Sequence, residues 1–156
     1  MSMTEIPVSR YIDTYSTNLL AKEEMELKGF ERDDNFDGPG IIFQIVDKCG
    51  NVVAHVDMTI YDSSVEETNV EIDAMIDILV VDDNYRLKGF GSLLMNVLNA
   101  YSDSKNLSVG LKAKPLKYES STMTMDDLTR FYQMFGFHVI GCKDEYNEQF
   151  MYRETT

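Results

Sequence analysis

The sequence reads as an α/β protein, with strands and helices following one another in one domain over residues 1–156. Three observations lead there. The β-branched run 76–81 enters a glycine-bearing turn and leaves it as an amphipathic helix, with Phe90, Leu93, Leu94, Val97, Leu98 and Tyr101 on one face. Two other stretches, 52–61 and 107–113, alternate side chains at the strand period. The pieces in chain order read helical, then β-β-β-α-β-α-β-β. At 156 residues the chain fits one domain and can bury a real core.

Residues 1–8 are expected to be a loose lead-in. Ser9 can cap a helix that carries Ile12, Tyr15 and Leu19 on one side. Residues 23–28 read as a second short helix or a continuation, ended near Gly29. The acidic stretch 31–40 closes on Gly38-Pro39-Gly40, a loop signal. Residues 41–47 make a strand, 48–51 a turn, and 52–61 the partner strand. There Val52, Ala54, Val56, Met58 and Ile60 face one way, and Val53, His55, Asp57, Thr59 and Tyr61 the other. Residues 62–68 are expected as an acidic hairpin loop, and 69–81 as the long strand that enters the glycine turn.

The helix that starts at Gly89 should end near Ser102, with a strand over 107–113 and a polar loop over 115–123. Thr124 and Asp127 resemble a capping box, with Asp in place of the usual Glu. They open a helix that bears Leu128, Phe131, Tyr132 and Phe135, and Gly136 stops it. Residues 137–142 and 149–153 close the chain as strands.

Composition narrows the function. The net charge is −13, from 27 acids against 14 bases. That excess speaks against nucleic-acid binding, which needs a basic face; it is compatible with cationic partners, although total charge alone is more often a matter of solubility. Six bases (Arg86, Lys88, Lys105, Lys112, Lys114, Lys117) and one acid, Asp103, fall between Asn84 and Tyr118. The acids collect elsewhere, around 31–37, 66–67 and 144–148. No apolar run is long enough to cross a bilayer, and the N-terminus lacks a signal-peptide pattern. Cys49 and Cys142 stand in unrelated contexts, so free thiols in a cytoplasmic protein are expected, with no metal site.

The turn itself carries Arg86-x-x-Gly89-x-Gly91. Glycines remove the Cβ atoms that would keep another molecule off the backbone. The first turn of the following helix has N–H groups without internal partners, at the positive end of the dipole. Such a place suits a phosphate or diphosphate, and Arg86 and Lys88 add formal positive charge. It is not a Walker loop, because no Gly-Lys-Ser/Thr follows. Nor is it the dinucleotide fingerprint, whose first glycine is missing.

Val81 followed by Arg86-x-x-Gly89-x-Gly91-x-Leu93-Leu94 resembles the acyl-CoA-binding motif of the GNAT superfamily of N-acyltransferases. Phe131-Tyr132-Gln133-Met134-Phe135-Gly136-Phe137 resembles that family's second signature, in the family's order and separation. In element order the resemblance runs from about Ser9 to about Arg153. It implies a mixed central sheet with helices on both faces. Acetyl-CoA as co-substrate, and direct transfer to an amine in a ternary complex, are implied with it. It places the diphosphate on the backbone of Leu87, Lys88, Gly89, Phe90, Gly91 and Ser92, beside Arg86. It places the pantetheine arm along Leu79, Val80 and Val81 as an incomplete extra strand, with an N–H near Val80 or Val81 on the acetyl carbonyl. Tyr132 matches the family's tyrosine that protonates the leaving thiolate. Met125 and Leu128 depart from the Asn and Ala that many members carry ahead of that tyrosine.

The acceptor's ammonium must lose a proton. Some members use a Glu where this chain has Met75. Asp77, two residues on, is the candidate base, with Asp73 next; a structural carboxylate or an amine-binding anion is the competing reading for Asp77. His55 and His138 are titratable near neutrality by residue type, although a lone strand histidine is more often structural. The acidic loops point to a cationic acceptor: a protein lysine or N-terminus, a polyamine or a small amine. The rival reading is a non-catalytic GNAT-fold module that binds acyl-CoA or a basic protein. Monomer and homodimer both stay open.

Overall fold

The computed structural model describes residues 3–32, 39–114 and 124–155. Eight strands form one sheet: β1 (Met3–Ile6), β2 (Glu26–Arg32), β3 (Gly40–Val46), β4 (Val52–Glu67), β5 (Val70–Val81), β6 (Val109–Ala113), β7 (His138–Val139) and β8 (Gln149–Arg153). Their order is β1-β2-β3-β4-β5-β6-β8-β7. The pairing of β5 with β6 is parallel and the rest is antiparallel. Three α-helices, α1 (Thr14–Lys22), α2 (Phe90–Ser104) and α3 (Met125–Gln133), complete it. This is the expected α/β class, a mixed and mostly antiparallel sheet with helices.

Four local expectations change. Residues 3–6, read as part of a loose lead-in, pair with β2 as an edge strand, and Ile6 is buried. The first α-helix is capped by Asp13, whose carboxylate accepts from the Ser16 N–H at 2.7 Å, and not by Ser9. Residues 26–28, read as helical, and 31–32, read as loop, belong to strand β2. Glu24 takes a positive φ of 56° and ends the helical path there. Gly29, read as a helix stop, is needed for packing instead: a Cβ there would sit 2.7 Å from the Phe43 ring. Finally, β4 runs on to Glu67 through residues read as a loop, and the turn is Thr68-Asn69, both at positive φ. The loop 115–123 and the acids Asp33, Asp34 and Asp37 lie outside the described residues.

The core forms where α2 covers β3, β4 and β5, with α1 beside β2. From the strands come Ile41, Phe43, Ile45, Ala54, Val56 and Met58; α2 contributes Phe90, Leu93, Leu94, Val97, Leu98 and Tyr101. Side chains of this size contribute about 1.5–3 kcal/mol each when fully buried. The rings of Tyr11, Phe43 and Tyr101 meet edge to face, with centroids 5.4–6.5 Å apart. At the other end of the sheet, Arg153 of β8 grips Asp103 of α2 through two bonds of 2.9 Å. The capping box of Thr124 and Asp127 opens α3 as expected. No helix among the described residues is long and apolar enough to cross a membrane.

Candidate functional site

The site begins where β5 parts from β6. Only Ala74, Met75 and Ile76 pair with β6, against Val109, Gly110 and Leu111. On the other side of β5 the register slips: Met58 faces Ile76 while Asp57 faces Ile78, so Asp77 is the extra residue of a β-bulge. The bulge exchanges the two faces of the strand. Ala74 and Ile76 point to the core before it, Leu79 and Val81 pack against the core after it, and Ile78 is 43% exposed. Among the described residues no strand pairs with the outer edge of β5 beyond Ile76. The backbone groups on that edge therefore stay available to a ligand that can mimic a strand.

The edge leads straight into the glycine turn. Asp82 accepts from the Asn84 N–H at 3.0 Å and starts a short 3-10 turn over Asp83–Tyr85. Leu87 and Gly89 both take positive φ, 65° and 93°. Gly89 precedes α2, and no side chain caps that helix. The first helical bond there runs from the Leu93 N–H to the Gly89 carbonyl at 2.9 Å, so the N–H groups of Phe90, Gly91 and Ser92 precede the ladder. A Cβ on Gly91 would lie 3.6 Å from Phe131 Cζ and 3.8 Å from Val81 Cγ2. So the end of β5, the first turn of α2 and the Phe131 ring of α3 converge on this glycine.

The charge expected at the turn is largely offset by internal partners. Arg86 pairs with Asp83 at 2.9 Å and Lys88 with Glu23 at 3.4 Å. Farther out, Lys112 pairs with Glu67 and Lys114 with Glu148. What the turn offers an anion is therefore mainly backbone N–H groups and the α2 dipole, with the two cations at its rim. That donor set fits a diphosphate. Among the described residues no group of three or more His, Cys, Asp or Glu could hold a metal.

Tyr132 sits one residue from the Phe131 contact. Its ring packs against Phe131 and Phe137, at centroid distances of 5.3 and 6.2 Å. Burial alone pushes its phenol up to about 12. The hydroxyl therefore keeps its proton throughout the neutral range, which a proton donor requires.

The acceptor-side candidates lie on the sheet face opposite Phe43. Asp77 accepts from the Thr59 hydroxyl at 2.6 Å, and Arg32 reaches it at 3.9 Å while donating to Thr59 at 3.2 Å. Arg32 crosses β3 at Gly40, where a Cβ would meet its Nη2 at 2.7 Å. Asp73 bonds the Ser64 hydroxyl and the Ser108 N–H, a clamp across the β4 irregularity. His138 lies exposed on β7. His55 is not alone: its Nδ1 lies 2.7 Å from Asp57 Oδ1, and both line a groove of about 450 Å³ with Ile42, Gln44, Val80 and Asp82.

Residues 3–137 match the family model described as the acetyltransferase (GNAT) family. The chain belongs to the GNAT acetyltransferase family. No match is found among curated proteins. Solved structures share the fold at low identity. One is a GNAT-family acetyltransferase from Staphylococcus aureus Mu50: 18% identity over 75% of this chain and 68% of that one, TM-score 0.53. A second is a spermidine N-acetyltransferase SpeG chimera from Vibrio cholerae and hSSAT: 19% identity over 74% of this chain and 66% of that one, TM-score 0.52. A third is the ribosomal-protein-S18-alanine N-acetyltransferase from Escherichia coli: 12% identity over 99% and 94%, TM-score 0.54.

In this GNAT chain the structure brings the end of β5, the glycine turn and the aromatic end of α3 to one corner. It leaves Asp73 in a structural clamp. The sequence gives no signal for Arg32, which is distant from both signatures, and His55, read as a lone strand histidine, is paired with Asp57. The one available signal was His55-x-Asp57 on a single face of a predicted strand.

Proposed function

We propose that this GNAT-family protein is an N-acetyltransferase. It moves an acetyl group from acetyl-CoA to a primary amine of a cationic acceptor, in the cytoplasm, by direct transfer in a ternary complex. One observation carries the reading: the unpaired edge of β5 runs into an uncapped helix N-terminus. That geometry suits a long ligand with an amide-bearing arm at one end and a diphosphate at the other.

In this reading the backbone of Leu87, Lys88, Gly89, Phe90, Gly91 and Ser92 holds the diphosphate, and Arg86 adds charge at its rim. The edge of Leu79, Val80 and Val81 pairs with the arm. An N–H near Val80 or Val81 polarises the acetyl carbonyl. Tyr132 gives its proton to the departing thiolate. Asp77 serves the acceptor as its carboxylate on the open face. When bound, acetyl-CoA supplies the activated thioester. A polyamine or a protein amine fits the acidic chain best, and the relatives named for spermidine and for a ribosomal-protein alanine span both classes.

Calorimetric titration with acetyl-CoA tests this directly. Saturable one-to-one binding is expected, and an absence of heat at millimolar ligand would overturn it. Mass spectrometry of spermidine and lysine peptides, incubated with acetyl-CoA and the protein, separates an enzyme from a module that only binds.

A further inference from the structure

The open face of the sheet carries a polar row that the reading above leaves unused. His55, Asp57 and Thr59 alternate along β4 on the side away from Phe43. Across β5 they face Val80, Ile78 and Met75 respectively. Thr59 bonds Asp77, and Asp57 bonds His55.

The two acidic positions in this row differ in chemistry. Asp77 accepts a hydrogen bond from the Thr59 hydroxyl at 2.6 Å, has the Arg32 guanidinium 3.9 Å away, and leaves 44% of its side chain exposed. That exposed carboxylate can take an ammonium on the side away from Arg32. His55 is placed otherwise. A carboxylate has no proton to give, so Nδ1 must be the donor in the 2.7 Å contact with Asp57. That fixes the neutral ring as the tautomer with its lone pair on Nε2. The ring lines the groove beside Val80, the strand position next to the proposed thioester arm. The charged groups that face it are Asp57 on its own strand and Asp82 after β5; on the β3 side stand Ile42 and Gln44, which are uncharged. Both carboxylates favour a cation in the groove.

We propose that the groove over β3, β4 and β5 is the acceptor-amine site, that His55 Nε2 takes the proton from the reacting ammonium, and that Asp77 anchors a second positive charge of the same acceptor. Val80 and Asp77 are three residues apart, roughly 10 Å along a strand. The acceptor class is therefore a linear di- or polyamine. This rests on the acetyltransferase reading and deepens it. The step balances: the ammonium gives one proton to His55, and the amine nitrogen bonds to the acetyl carbon as the carbon–sulfur bond breaks. The leaving sulfur takes the Tyr132 proton, and the second N–H proton lost by the nitrogen restores Tyr132 through solvent.

The chain has two histidines, so ring spectra assign themselves with one variant. In long-range nitrogen–proton NMR of the full chain with bound CoA, His55 should show the Nδ1–H tautomer. Spermidine should move the His55 signals and leave those of exposed His138 in place. Asp57→Asn should lose the single-tautomer pattern. In turnover, His55→Gln should lower kcat for spermidine at pH 7 by about 100-fold or more while KM changes little. Asp77→Asn should raise KM for spermidine and leave KM for butylamine, which has one charge, in place. No spermidine-induced shift at His55 with CoA bound would overturn the proposal. So would a His55→Gln enzyme with wild-type kcat. A failure of CoA itself to bind would instead sink the acetyltransferase reading.

Discussion

Gly91 separates the needs of folding from the needs of the ligand. Consider Gly91→Ala. The added Cβ would lie 3.6 Å from Phe131 Cζ and 3.8 Å from Val81 Cγ2, ordinary contact distances, so the methyl fits the protein as it stands. Gly91 is also helical, the second residue of α2. Replacing a helical glycine by alanine gains up to about 1 kcal/mol, less at a first turn. For a chain of this length that raises Tm by about 2–4 °C at most. The ligand meets the same methyl differently. It stands in the gap between β5, α2 and α3, beside the N–H groups proposed to hold the diphosphate. Losing one bond to a charged group costs about 1.5–3 kcal/mol, so acetyl-CoA binding should weaken by about 10–100-fold. Thermal melting of the ligand-free protein and calorimetric titration measure the two effects separately. A stable Gly91→Ala protein that binds acetyl-CoA as tightly as the parent would refute the placement of the diphosphate. Gly89→Ala supplies the contrast: at φ 93° a side chain is strained, and about 1 kcal/mol of stability should be lost although the nearest atom, Leu19 Cδ2, is 3.6 Å away.

Tyr132→Phe should lower kcat by about 100-fold and leave acetyl-CoA affinity within about twofold; unchanged turnover across the pH range would remove the acid role. Burial raises the Tyr132 phenol from 10.0 to about 12 in the folded chain. Folding therefore favours its neutral form. That contribution is full below pH 10 and is lost as pH climbs through about 12, a fall of roughly 3 kcal/mol that urea titrations at alkaline pH would follow; Tyr132→Phe would remove this share and leave that of the other buried phenols, Tyr101 above all. Asp103→Asn breaks the paired 2.9 Å bonds to Arg153, whose side chain is 10% exposed, and should cost about 2–4 kcal/mol in urea unfolding; a loss below about 0.5 kcal/mol would show the pair to be incidental. Thr124→Ala removes one half of the α3 capping box and should cost about 1 kcal/mol by the same measurement.

The sequence by itself determined whatever depends on neighbours along the chain. The strand into the glycine turn, the amphipathic face of α2, the capping box of α3 and the alternation of β4 from Ala54 on rest on spacing and local hydrogen bonds, and each appears where the residues placed it; Val52 and Val53 exchange faces at a register irregularity against β3. Tertiary structure decided the rest, because contacts distant in sequence outweigh local preference. Residues 26–28 look helical, yet they belong to β2 and fill the place beside β3 where Gly29 admits the Phe43 ring. Lys88 looks like spare positive charge until the fold brings Glu23 against it from 65 residues away. Asp77 reads as a carboxylate in a strand; only the bulge, and an arginine reaching over Gly40 from β2, show what holds it. His55 gained meaning the same way. Its spacing to Asp57 was visible, but a groove has three walls, and two of them come from strands that the sequence places elsewhere.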